Sequence, residues 1–268
     1  MRTIPDSFDP AMVAAIDARL DAVARDERVS LPLVIESGSR AWGFASPDSD
    51  YDCRFIYVRQ RRDYLALWPK RDVIETPLDG LLDVNGWDLA KALRLIVKGN
   101  AVAIEWLRSP IAYRGDEAFR DALDAFAVEH MPVDAVQSHY LHLGLQQWSR
   151  HGEEVTSGKK LFYALRPAAA LRWIRLHDQA LPPMHFPTLM AECDPPADVA
   201  VLVADLITRK AETRELGEAI IPAEIAAFIE NEYGLAANQQ RDRSTDDKAK
   251  AAADALFMTL LDRFSPDD

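Results

Sequence analysis

Asp50 and Asp52 stand one residue apart at the start of an apolar run, within ESGSRAWGFASPDSDYDCRFIYV, residues 36–58. In extended backbone, alternate side chains share a face, so Asp50, Asp52 and Arg54 point one way and Tyr51, Cys53 and Phe55 the other. Two carboxylates ~7 Å apart on one strand face repel each other unless a cation sits between them. Hard divalent ions such as Mg²⁺ take oxygen ligands and leave positions open for substrate phosphates. A pair of them ~3.5–4 Å apart activates an attacking hydroxyl and stabilises the leaving oxygen of an in-line displacement. Upstream, Gly38-Ser39 forms a turn at which backbone can approach a phosphate closely, and SRAWGF reads as a one-turn helix leading away from it. Taken singly these signals are weak, since Pro47-Asp48-Ser49-Asp50 is also ordinary turn chemistry. The order strand, Gly-Ser turn, short helix, Asp-x-Asp, strand is far more specific.

The elements that must hold these residues are legible from periodicity. Residues 9–28 place Met12, Val13, Ile16, Leu20 and Val23 on one helical face. LPLVIES and residues 52–58 read as strands. DVIET and GLLDVNG read as a third and fourth, separated by the turn Pro77-Leu78-Asp79-Gly80. From Trp87 the period changes to helical. WDLAKALRLIVKGN carries Leu89, Ala92, Leu93 and Ile96 on one side and stops at Gly99. Helical patterns continue over about 116–128, 133–150, 158–180, 197–214, 222–231 and 246–263. The expected fold is therefore α/β of the α+β kind: a small mixed-sheet module over 1–115, followed by an all-helical module over 116–268 packed tightly against it.

Composition narrows the function classes. The chain has 268 residues, 49% apolar and 28% charged, an ordinary globular balance. No stretch approaches the ~18 uncharged apolar residues of a membrane span. The N-terminus MRTIPDSFDP lacks the apolar core of a signal peptide. Cys53 and Cys193 are too few and too far apart for a disulfide framework or a thiol-rich zinc site. The expectation is a cytoplasmic protein with no membrane partner. A net charge of −12 argues against coating nucleic acid, whose phosphates demand a basic surplus. Two local basic clusters soften that restraint. One is Arg59, Arg61 and Arg62. The other lies within 137–180, where Arg150, Lys159, Lys160, Arg166, Arg172 and Arg175 outnumber Glu153, Glu154 and Asp178. A solvated helix face is the plainer account of both.

GSRAWGFASPDSDYDCRFIYV resembles the nucleotidyltransferases of the DNA polymerase β superfamily, whose signature is Gly-Ser followed by Asp-x-Asp on the next strand. It is most similar to the bacterial and phage branch described as predicted nucleotidyltransferases associated with RNA ligase or RNA repair. DVNGWDLAKALRLIVKGNAVAIEWLRSPIAYR and GKKLFYALRPAAALRW resemble further segments of that branch, so the likeness covers roughly residues 31–180. The resemblance implies a polymerase β-like domain and transfer of a nucleoside monophosphate from an NTP, ATP among them, with Mg²⁺ (or Mn²⁺) as cofactor and pyrophosphate as product. It assigns Gly38, Ser39 and Arg40 to the triphosphate, and Asp50 and Asp52 to the metal. A third carboxylate comes from a neighbouring strand. Asp83 inside GLLDVNG is preferred over Asp88, which helix capping explains by itself, and over Asp79 in a turn. Lys159, Lys160 and Arg166 are further phosphate contacts, with Lys159 and Arg166 at i and i+7 on one helical face. Arg54 shares a face with the aspartates and is expected to pair with them. Asn100, Glu105 and Trp106 match the branch, although capping and packing account for them equally, and His139 and His142 are read as structural.

The implied acceptor is a hydroxyl. An RNA 3′ end comes first, with a protein hydroxyl or a small molecule as alternatives. Two readings from other classes compete: a nucleotide-binding regulatory module without turnover, and a scaffold whose helical half is the binding surface. Intact carboxylates and an intact Gly-Ser turn speak against both.

Overall fold

The computed structural model describes residues 1–151, 155–212, 218–239 and 247–267, with side chains for all of these except 149–151, 155–159 and 218–220. The elements run α1 (Pro10–Glu27), β1 (Val29–Ser37), α2 (Gly38–Trp42), β2 (Tyr51–Arg59), α3 (Arg61–Tyr64), β3 (Val73–Glu75), β4 (Leu82–Asp88), α4 (Leu89–Val97), α5 (Ala101–Arg108) and β5 (Ala112–Gly115). There follow α6 (Glu117–His130), α7 (Val133–His151), β6 (Val155–Ser157), α8 (Gly158–His177), α9 (Phe186–Glu192), α10 (Ala197–Glu212), β7 (Glu218–Ile220), α11 (Ala223–Ala237) and α12 (Asp247–Phe264). Their termini follow from local chemistry. The Asp9 carboxylate accepts the Ala11 N–H ahead of α1, with Pro10 in the first turn. Asp88 caps α4, Asn100 caps α5, and Gly99 supplies the positive φ that separates those two helices.

Five strands form one mixed sheet in the order β3-β4-β2-β1-β5, while β6 and β7 pair separately. β2 runs antiparallel to β1 and parallel to β4. The register sets Asp52 opposite Asp83 and Tyr57 opposite Asp88. The fifth strand, β5, was absent from the sequence reading. It pairs antiparallel with β1 at the sheet edge, and its four residues are too short for a period-2 signal to stand out.

Strand alternation gives the sheet two different covers. Tyr51, Cys53, Phe55 and Tyr57 of β2 pack with Ile16, Leu20 and Val23 of α1. Ile56 and Val58 face the other way and share a core with α4, α5, α6, α8 and α11. Asp52 and Arg54 have the parity of Ile56 and Val58. The face that carries the carboxylates is thus the same face that the helical half covers further along the strand. The division expected at 115/116 falls at the end of β5, but the larger core runs across it without a break, from Leu33 and Ile35 to Leu260 and Leu261.

Candidate active site

Asp52 and Asp83 meet because β2 and β4 are parallel neighbours in register. Arg54 lies between them, its Nη2 donating to Asp52 Oδ1 at 3.1 Å and to Asp83 Oδ2 at 2.7 Å. Asn85, two residues along β4 on the same face, donates from Nδ2 to the other Asp83 oxygen at 2.6 Å. One guanidinium thus faces two carboxylates. Arg54 takes the pairing role that its position on the strand indicated. Asp50 is exposed just ahead of β2. Asp88, the alternative third carboxylate, sits at the far end of β4 with Oδ1 accepting the Ala90 N–H and Oδ2 the Tyr64 O–H. Burial raises its pKa. Asp79 belongs to the turn before β4 and pairs with Arg19.

The Gly-Ser turn abuts these carboxylates. Gly38 has φ +63°, and a Cβ on it would come within 2.0 Å of Asp52 Oδ2. Glycine is therefore required twice, for the left-handed backbone and for the close approach. Ser39 follows in the first turn of α2 and is part-exposed. Arg40 is engaged elsewhere than the triphosphate role implied: its Nε donates to the Asp50 carbonyl at 3.0 Å and its Nη2 to the Ser49 carbonyl at 2.6 Å. Its guanidinium also stacks over the Tyr51 ring at 3.8 Å. As placed, Arg40 braces the backbone from which Asp50 projects.

The helical side of the site is built on α8. Tyr163, 37% exposed, meets the Trp42 ring edge-to-face at 5.7 Å. Burial raises its pKa, and the charges of Asp52 and Asp50 raise it further, which places the phenol within electrostatic reach of both carboxylates. Lys160 is exposed in the first turn of α8, whereas the Lys159 side chain lies outside the described residues. Arg166 is 6% exposed. Its Nη1 donates to Glu105 Oε1 at 2.7 Å, and its guanidinium lies 4.6 Å from the Trp42 ring, whose Nε1 donates to the other Glu105 oxygen at 3.3 Å. Arg166 therefore locks α8 to α5 and α2 instead of facing solvent. Capping and packing also describe Asn100, His139 and Trp106: His139 Nδ1 accepts the Ala101 N–H, and Trp106 stacks on Trp87 at 3.7 Å.

The two basic clusters largely dissolve in three dimensions. Arg59 is buried beside Glu27 and Asp88, Arg61 pairs with Asp262, and Arg62 donates to Gln60 Oε1. Arg172 and Arg175 both bind the buried Glu232 carboxylate. The Arg150 side chain lies outside the described residues. Sequence spacing counted Arg166, Arg172 and Arg175, but not the acids brought to them from 57–61 residues away.

One residue of the site escaped the sequence reading. Glu36, near the end of β1, is fully buried. Its Oε1 accepts the Asp52 N–H at 2.9 Å and its Oε2 the Tyr113 O–H at 2.5 Å. Burial pushes its carboxyl up to about 8 in spite of both bonds. The only clue in sequence was an acid continuing the apolar run LPLVI.

The donor set fits a hard divalent cation. Asp52 and Asp83 offer carboxylate oxygens from adjacent strands, and the missing side chain at Gly38 lets the Asp52 carboxylate lie directly against the turn. Among the described residues no three His, Cys, Asp or Glu converge into a closed ligand cage. A cation here would rest on Asp52 and Asp83, with water and substrate phosphates completing its shell.

Comparison with known proteins follows the same line. The family described as "RNA repair pathway DNA polymerase beta family" matches residues 12–259. The chain is also 42% identical over 221 residues to an uncharacterized Bacillus subtilis protein, YcgL, covering 80% of this chain and 83% of that one.

Proposed function

Because the chain belongs to the RNA repair pathway DNA polymerase beta family, we propose that it is an Mg²⁺-dependent nucleotidyltransferase, Mn²⁺ substituting, that transfers a nucleoside monophosphate from an NTP to a hydroxyl, in the first place an RNA 3′ hydroxyl. The observation that carries this reading is the in-register pair Asp52 and Asp83, with the Gly38 α-carbon against Asp52. Asp52 and Asp83 would hold the metal, with the exposed Asp50 joining them as a third ligand once metal and triphosphate are bound, and the metal when bound would supply charge neutralisation for the triphosphate. Gly38 and Ser39 would receive phosphate oxygens beside Asp52, and Lys160 would meet them from α8. Asp83 would orient the acceptor hydroxyl and take its proton as the oxygen attacks the α-phosphorus. The bond to the bridging oxygen then breaks, and pyrophosphate departs. Arg54 keeps the two carboxylates in place, and Arg166 supports the wall formed by Trp42. Catalysis of this kind rests on positioning and electrostatics, with no covalent enzyme intermediate.

A second acceptor class has one observation in its favour. The cations at Arg166, Arg172 and Arg175 are engaged by Glu105 and Glu232, in a chain of net charge −12, which favours a protein hydroxyl or a small molecule over an extended polyanion. The deciding experiment incubates the protein with Mg²⁺ and each of four α-phosphate-labelled NTPs, offering RNA and RNA-free cell protein separately. Label entering RNA with wild type but not with Asp52→Asn or Asp83→Asn supports the first reading. Label entering protein alone moves the acceptor, and pyrophosphate release without label in either pool points to a small molecule. Nucleotide binding without pyrophosphate release would leave a regulatory module.

A further inference from the structure

We propose that Glu36 is a positioning residue for Asp52, holding the metal-facing carboxylate from behind the sheet through its backbone amide; this rests on the reading of Asp52 as a metal ligand. The Tyr51 N–H points toward β4 and bonds the Leu81 carbonyl at 2.7 Å, so the next amide, that of Asp52, points toward β1. At that level β1 is leaving the sheet: Ser37 is its last residue, and Gly38 begins α2. The Glu36 side chain fills the gap, its Oε1 accepting the Asp52 N–H at 2.9 Å. Tyr113 from β5 fixes the other oxygen, and Ser109 Oγ donates to the Glu36 carbonyl at 2.6 Å. Glu36 has the parity of Val34, which packs in the α1-side core, where an apolar residue would avoid the desolvation cost of a carboxyl. A buried carboxyl at that position is explained by what it holds. Between Glu36 on the amide and Gly38 against Oδ2, Asp52 is located from both ends.

The test compares Glu36→Gln, Glu36→Asp and Glu36→Ala in the full-length protein. Glutamine keeps an oxygen for the Asp52 amide and can donate to the Tyr113 oxygen. Aspartate keeps the carboxyl but is one methylene short. Mn²⁺ affinity is read by electron paramagnetic resonance, amide exchange of Asp52 and Phe55 by NMR, and fold by circular dichroism. The alanine and aspartate variants are expected to weaken Mn²⁺ binding roughly 10- to 100-fold and glutamine only a few-fold, the usual range for a group that orients a ligand. In parallel, the Asp52 amide should lose protection in the first two while Phe55 keeps it. An Asp52 amide as protected in Glu36→Asp as in wild type overturns the proposal. So does a glutamine variant that binds Mn²⁺ as poorly as aspartate, since an acceptor kept for the Asp52 amide would then not be what matters. Should Glu36→Ala fail to fold, the glutamine–aspartate contrast decides alone. Wild-type protein that binds no Mn²⁺ would sink the metal reading itself, and the exchange data would still decide whether Glu36 holds the amide.

Discussion

At the scale of single residues, Asp52 and Asp83 share the Arg54 guanidinium, so removing one charge leaves Arg54 the other carboxylate as partner. Asp83→Asn keeps the shape and the contact with Asn85 while removing a charge. We expect it to fold with a melting temperature within about 2 °C of wild type and to lose at least ~100-fold in nucleotidyl transfer, both measured on one preparation. Full transfer by this variant would remove Asp83 from the site. Gly38→Ala differs in kind. It places a methyl within 2.0 Å of Asp52 Oδ2 and asks alanine to hold φ +63°, a backbone cost of about 1–2 kcal/mol. A drop of a few degrees in thermal midpoint together with near-complete loss of transfer is expected. A variant as active as wild type would mean that Asp52 is free to move aside. The Asp-x-Asp face and the Gly-Ser turn were legible because strand alternation and turn chemistry are local. The standing of Arg40 was not, because its acceptors are the carbonyls of Ser49 and Asp50 on a loop whose path the sequence does not specify.

Between elements, the tie of α8 to α5 and α2 is the buried pair Arg166–Glu105, with both side chains under 10% exposed. Glu105→Ala would leave the guanidinium desolvated without its carboxylate, a loss of about 3–5 kcal/mol on urea unfolding. The double variant Glu105→Leu/Arg166→Met should be less destabilised than Glu105→Ala, because no charge is stranded. A Glu105→Ala protein of unchanged stability would show that the pair is not closed in solution. A second contact is pH-sensitive. His139 on α7 accepts the Ala101 N–H at the start of α5, and burial lowers its pKa below the ordinary 6.5. Folding thus favours the neutral ring: its contribution is complete above about pH 6.5 and is lost as the pH falls through the folded-state value. Urea midpoints of wild type should fall more steeply between pH 7.5 and 5.5 than those of His139→Gln. Parallel slopes would exclude His139 as the group responsible. Periodicity and caps announced the major helices, among them α4 and α6, while β5 stayed hidden because a four-residue edge strand is defined by its partner.

For the molecule as a whole, the carboxylate face and the helical half are one construction. β2 carries Asp52 and Arg54 where helical cover ends, and Ile56 and Val58 where it begins. The chain's last residues return to the same sheet: Ser30 Oγ donates to the Phe264 carbonyl, the Arg61 N–H to Ser265 Oγ, and Gln60 Nε2 to the Asp267 carbonyl. With a core continuous across residue 115, equilibrium unfolding should show one cooperative transition by both far-ultraviolet circular dichroism and tryptophan fluorescence. Two separated transitions would mean that the sheet and the helices fold independently.

What the sequence by itself determined is what short-range backbone geometry encodes: which residues share a strand face, where glycine must turn the chain and which residues cap the helices; the superfamily came from the resemblance of its Gly-Ser and Asp-x-Asp segment. Tertiary structure alone decided which distant groups meet. It placed Asp83 opposite Asp52 and Asp88 opposite Tyr57 through the parallel register of β2 and β4, matched Arg166, Arg172 and Arg175 to carboxylates from other helices, and set Glu36 behind Asp52. The reason is physical. Side-chain direction along one element follows from its period. A charge's partner, and so its role, depends on burial and register between segments far apart in the chain.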